Sequence, residues 1–141
     1  NENDSNGSDV DLHLLHPLGE WNERPYDCFW RNLEPDWGRP LGSTSVNDDP
    51  SLDIDDVDGW GPENINRNNP EIDRNYQVGV HYFSDHGYSV SFATVRIFVG
   101  GVLRAEYRRQ RLIDQEFWHV AQISWPSGAI MPNGQVYPSF P

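Results

Sequence analysis

The chain has 141 residues, and its 22 Asp+Glu against 10 Lys+Arg leave a formal charge of −12. A chain this acidic repels phosphate backbones, which argues against a nucleic-acid partner. Six Trp, six Tyr and six Phe supply one core, so an acidic disordered tail is excluded, and with no run of 18 apolar residues no membrane span is expected.

Residues 1–8 (NENDSNGS) carry no apolar side chain and read as a flexible leader. The chain begins at Asn1 rather than Met and has no basic or apolar signal segment; a mature secreted form or an excised piece is expected. Two N-x-S sequons place candidate N-glycans on Asn3 and Asn6. Asp9–His16 alternates, with Asp9, Asp11 and His13 on one face and Val10, Leu12 and Leu14 on the other, which predicts a half-buried strand. A short aromatic strand is expected over Tyr26–Arg31, a long Pro/Gly/Asp/Asn loop over 32–50, and a short strand over Ser51–Asp56. Tyr76–Ser84 alternates again. Ser91–Val99 and Val102–Arg109 flank Gly100-Gly101, a two-residue hairpin signal, and Phe117–Trp125 is the last clear strand. No segment has a helical period. Short strands punctuated by Gly and Pro predict an all-β, antiparallel β-sandwich of jelly-roll or immunoglobulin-like type over residues 9–126. The tail, residues 127–141, combines prolines with Ile130, Met131, Val136, Tyr137 and Phe140. Proline denies it a central place in a sheet, so it docks on its own domain or serves as an intersubunit strand.

The lone Cys28 cannot pair within the chain and reads as a small buried hydrophobe. Residues 48–63 (DDPSLDIDDVDGWGPE) hold seven carboxylates and no base, interleaved with Leu52, Ile54 and Val57. Two unit charges about 5 Å apart repel by roughly 3 kcal/mol at an effective dielectric near 20. Such pairs stay ionised together only beside a cation; otherwise they protonate or splay into water. Clustered carboxylates, turn carbonyls and no thiolate suit a hard cation with six to eight oxygens, which is calcium rather than magnesium. The spacing is not an EF-hand. Alternation puts Asp53 and Asp55 on one face, the Gly59/Gly61 turn folds Asp56, Asp58 or Glu63 over the ion, and Asp9 and Asp11 close the cage from the first strand.

Other constellations point to less. His13/His16 and His81/His86 lack the spacing of a closed zinc set. Ser84-Asp85-His86 holds triad residue types, but neighbours on a strand face opposite ways. A glycosidase needs two carboxylates across a cleft, and nothing in the sequence pairs them. Trp118 and Trp125 read as core, whereas Trp37 and Trp60 sit in Gly/Pro loops as candidate sugar-stacking platforms. Arg108, Arg109 and Arg111 form a basic cluster that reads as a solvated strand edge.

The segments Asp9-Val-Asp-Leu-His, Asn32-x3-Asp36-Trp-Gly38, Asp49 to Ile65, Val80 to Asp85 and Phe117 to Ile123 resemble the YfaP-like family of secreted and cell-surface bacterial domains. The likeness covers roughly Asp9 to Pro126. It implies a β-sandwich with an acidic calcium-binding edge and no known catalytic activity. Carried onto matching positions, it implies Asp9, Asp11, Asp53, Asp55, Asp56 and Asp58 as ligands, with Glu63 and Asn64 matching the motif and bracing the turn. The expectation is an extracellular, non-enzymatic, calcium-stabilised structural subunit that forms a homo-oligomer or homopolymer, a filament built by terminal-strand exchange, coated by leader glycans. The alternative is a calcium-dependent carbohydrate-binding or adhesion module; a hydrolase using the acidic cluster is the least favoured.

Overall fold

The structure, a computed structural model, describes residues 9–37, 49–54, 62–87 and 89–141. These form nine strands: β1 (Asp9–Leu15), β2 (Asp27–Cys28), β3 (Pro50–Ile54), β4 (Asn64–Arg67), β5 (Arg74–Ser84), β6 (Val90–Val99), β7 (Val102–Ile113), β8 (Phe117–Trp125) and β9 (Ile130–Tyr137). A five-stranded sheet runs β2-β1-β5-β8-β9, and two hairpins, β3-β4 and β6-β7, complete the fold. Every pairing is antiparallel. The chain is thus all-β, and no helix among the described residues is long and apolar enough to cross a membrane.

Alternation sorts the large sheet into two faces. Register sets Leu12 against Val80 and Val80 against Trp118. Val78, Val80, Tyr82, Trp118 and Val120, with the partly buried Val10, Leu12 and Leu14, pack against Ala93, Val95, Ile97 and Leu112 of the β6-β7 hairpin. This is the sandwich interior, and apolar burial there drives the two layers together. A smaller cluster of Cys28, Trp37, Leu52 and Tyr76 lies beneath the β3-β4 hairpin. The turn at Gly100-Gly101 has φ of 58° and 78°. Two consecutive positive φ values define the tight hairpin turn that the sequence announces.

The opposite face is not left to water. Along β1 the polar set, Asp9, Asp11, His13, is buried while Val10, Leu12 and Leu14 are only partly so. The half-buried strand expected from its alternation is therefore buried on both faces. Residues of the 16–37 segment cover the polar side: Phe29 stacks on His13 at 5.0 Å and Trp21 meets Phe117 at 4.7 Å. Phe140 adds a lid, 4.1 Å from the His81 ring and 5.1 Å from Phe117.

Two strands carry no clear sequence signal. Asn64–Arg67 is three-quarters polar, and the tail beyond Pro126 is broken by prolines. The tail nonetheless supplies β9, paired with β8 from Ile123–Ile130 to Phe117–Tyr137. It takes the outer edge of the sheet, where Pro132 costs the least ladder bonding. The sheet thus continues past the boundary expected at Pro126.

Gly79 faces the polar side at a point where nothing larger fits. A Cβ there would lie 2.3 Å from Phe117 Cζ and 3.1 Å from Trp21 Cη2. Gly79→Ala is expected to lower stability by about 1–3 kcal/mol through overpacking, read as a shifted urea midpoint at unchanged slope; a midpoint equal to that of the parent chain refutes the packing described.

Candidate functional site

The acidic residues divide by environment. Asp9 and Asp11 are 7% and 2% exposed on the covered face of β1. Glu63 arrives at the same strand from the start of β4, where its Oε2 accepts the backbone N–H of Leu12. Asp53 is different: it is exposed on the β3-β4 hairpin. Its Oδ1 accepts from the Ser51 hydroxyl at 2.8 Å, and its Oδ2 accepts from the side-chain amides of Asn64, at 3.1 Å, and Asn66. Three neutral donors thus satisfy this exposed carboxylate. Asp55, Asp56, Asp58 and Trp60 lie outside the described residues, as do the sequon residues Asn3 and Asn6. Ile54 pairs with Asn64, and Glu63, which precedes Asn64, meets β1. Among the described residues, no three His, Cys, Asp or Glu side chains converge to hold a metal.

Trp37 does not offer a face to a sugar. It is 1% exposed, its Nε1 donates to the Pro25 carbonyl at 2.6 Å, and its ring lies parallel to Tyr76 at 6.3 Å. The Arg67 guanidinium sits 5.0 Å from the Trp37 centroid and 4.6 Å from that of Tyr76. A buried cation among aromatic faces accounts for this tryptophan being core. Cys28 is fully buried, and burial together with Asp27 pushes its thiol up to about 12. It is inert, as a buried hydrophobe should be. Ser84 and His86 meet through the His86 backbone N–H, 3.3 Å from Ser84 Oγ, so imidazole and hydroxyl are not assembled as a triad. Arg108 and Arg109 lie on the exposed side of β7, Arg108 bound to Glu106 and Arg109 over the Phe92 ring at 4.9 Å.

A set of buried histidines escapes sequence reasoning. His13 Nδ1 lies 2.7 Å from Asp27 Oδ2, with the pair 1% and 0% exposed. Asp27 Oδ2 also accepts the Asn22 N–H at 2.7 Å. His16 accepts the Leu18 N–H at Nδ1, which leaves Nε2 to donate to Glu71 Oε1 at 3.0 Å. His119 Nε2 contacts Gln77 Oε1 at 2.7 Å. The signal available was the phase of β1: His13 sits in step with two aspartates on a face too well covered for water. Asp27→Asn is expected to destabilise by about 3–5 kcal/mol, the cost of breaking a buried pair, whereas replacing both partners together, His13→Leu with Asp27→Leu, recovers most of the loss. Denaturant midpoints of the two variants decide it; equal loss in both is the contrary result.

Burial lowers the pKa values of His81, His119 and His16. Desolvation, reinforced by nearby His13, holds His81 at about 4 against an ordinary 6.5. Burial also lowers His119, and lowers His16 in spite of its bond to Glu71. Between pH 6.5 and about 4 the unfolded chain binds protons that the folded chain does not. Stability is thus full above pH 6.5 and falls as pH drops toward 4, by roughly 3 kcal/mol from His81 alone at about 1.36 kcal/mol per pH unit. Melting temperatures between pH 7.5 and 4.5 should decline, and His81→Phe should flatten the curve; a flat profile in the parent chain contradicts this electrostatic account.

Above the apolar face of the large sheet, the two hairpins leave a cleft of ≈ 490 Å³. Asn64–Arg67 of β4 form one wall and Val95–Val99 of β6 the other, over a floor that includes Leu12, Leu14, Tyr76 and Val78. No carboxylate lines it among the described residues. Comparison of the chain with protein-family models, with curated proteins and with solved structures finds no match.

Proposed function

We propose that this protein is a non-enzymatic, extracellular, calcium-stabilised β-sandwich that serves as a structural subunit and assembles with copies of itself. The observation that carries the calcium part is the placement of Asp9 and Asp11, both buried on one face of β1. Side chains two residues apart along a strand are about 7 Å apart, where like charges repel by about 2 kcal/mol at an effective dielectric near 20. A divalent cation beside them relieves that repulsion and supplies the opposite charge that buried carboxylates require. Glu63 is anchored on the same strand, and Asp55, Asp56 and Asp58 precede it in the sequence. The resemblance to the YfaP-like domains supports the same reading.

The non-catalytic part is supported by what the described side chains do. Among the described residues the cleft carries no carboxylate, the imidazoles are engaged with carboxylates, amides and rings, and the thiol is buried and hard to ionise. A structural role also suits an acidic surface that keeps copies soluble until specific contacts form.

Melting with calcium and with a chelator tests the calcium part. With free calcium at 100 times the dissociation constant, the fold gains about 2.7 kcal/mol, so at roughly 2–4 °C per kcal/mol for a chain of this size chelation should lower the melting temperature by about 5–11 °C. Asp11→Asn should shrink that difference. Superimposable melts with and without chelator refute a stabilising ion. Negative-stain images of the calcium-loaded chain test assembly, and a field of monomers alone refutes it.

A further inference from the structure

Charge is divided unevenly along the chain. The β6-β7 hairpin, residues 90–113, holds five of the ten arginines and one of the 22 carboxylates, Glu106. It is a +4 element, and the rest of the chain carries −16. Alternation turns Ser91, Ala93, Val95 and Ile97 of β6 onto the core. The five arginines of the hairpin are all exposed, as are Phe98, Leu103 and Ile113. The outer side of β6-β7 is thus a basic face, set with apolar side chains, on an acidic protein.

The backbone is shaped to present these arginines. The β6-β7 ladder has two register shifts, between Ala93 and Val95 and between Ile97 and Phe98. At the first, Arg108 and Arg109 together oppose the single residue Thr94; at the second, Arg104 is the extra residue of β7. Each bulge falls on arginine, and a bulge re-aims the side chains it carries. Arg109 has φ of 56°, its N–H donates to Thr94 Oγ1 at 3.1 Å, and its guanidinium lies 4.9 Å from the Phe92 centroid. Glu106 sits between Arg96 and Arg108 and accepts from both. Guanidiniums already held in place lose less freedom when they meet a further carboxylate.

Arginines alone would suit any polyanion. The exposed Phe98, Leu103 and Ile113 among them narrow the partner, because apolar groups interspersed with Arg are the composition of a protein interface. A protein of complementary charge is at hand in the chain itself, with 21 carboxylates against five arginines outside the hairpin. Two −12 chains repel on average; turning the +4 face of one to the −16 remainder of the other reverses the sign. We propose that the outer side of β6-β7 docks on the acidic remainder of a second copy of this chain. Because the docking face and the accepting surface differ, the contact is head-to-tail and propagates. The inference rests on the proposed structural role and adds the face through which copies meet.

The test follows the intact calcium-loaded chain by sedimentation velocity across a concentration series, in low and in high salt. High salt should weaken association about tenfold or more, because exposed charges are screened. Arg104→Glu with Arg111→Glu, both at exposed positions, should weaken self-association about tenfold or more while leaving the monomer's melt in place. The same charge change away from the hairpin, Arg24→Glu with Arg31→Glu, should weaken it less than about threefold. The hairpin variant keeps its acidic remainder, so it accepts a parent hairpin and offers none; small amounts of it should cap parent assemblies and shorten them. Assembly indifferent to salt and to the hairpin variant, or weakened equally by both double variants, overturns the docking face and leaves the structural role standing. Monomers of the parent chain at every concentration overturn both. Binding to phosphatidylglycerol vesicles or dextran sulfate that the hairpin variant loses, with no association of copies, overturns the second copy as partner.

Discussion

The hydrogen bond between His13 and Asp27, 2.7 Å long and sealed from water, is the contact around which the covered face of the large sheet is organised. A lone carboxylate or imidazole at that depth would carry a severe desolvation penalty. Paired, they form a polar core that Phe29, Trp21, Phe117 and Phe140 surround with rings. The pair ties β1 to β2, and the rings tie both to β8 and to the end of the chain. The large sheet can then be buried on two sides, apolar against β6-β7 and aromatic-polar against the 16–37 segment. Such an arrangement specifies register strongly, because a slip of one residue would drive His13 into the apolar layer and Leu12 or Leu14 among the polar groups.

Burial on both sides also explains the division between the acidic residues. Asp9 and Asp11 share the phase of His13 and go inside with it; Asp53 lies on a two-stranded hairpin with one face open and is satisfied by Asn64, Asn66 and Ser51. Glu63 stands between these environments, its carboxylate taken by the edge of β1. Glu63 is therefore anchored on the strand that carries the buried carboxylates Asp9 and Asp11. The opposite layer is built from two hairpins rather than one sheet among the described residues.

Much of this was readable from local pattern. The all-β class, the span of β8, the Gly100-Gly101 turn, the burial of Cys28 and the shared phase of Asp9, Asp11 and His13 follow from period-two alternation and turn chemistry, which act over a few residues. Other features were hidden because they depend on what lies across space. Asn64–Arg67 becomes a strand only by pairing with Pro50–Ile54, and Ile130–Tyr137 only because β8 offers an open edge. Trp37 reads as loop-borne and exposed until Arg67 and Tyr76 are seen against it.

The sequence by itself determined where the strands other than β4 and β9 form, which residues share a face, and that the molecule is an acidic, aromatic-rich domain with carboxylates gathered on one segment. Tertiary structure alone decided that the polar face of β1 is interior, that His13 finds Asp27 and His16 finds Glu71, and that a cleft opens between two hairpins. Alternation records which side of a strand a residue occupies. It does not record what covers that side, and burial, proton affinity and open strand edges all depend on the cover.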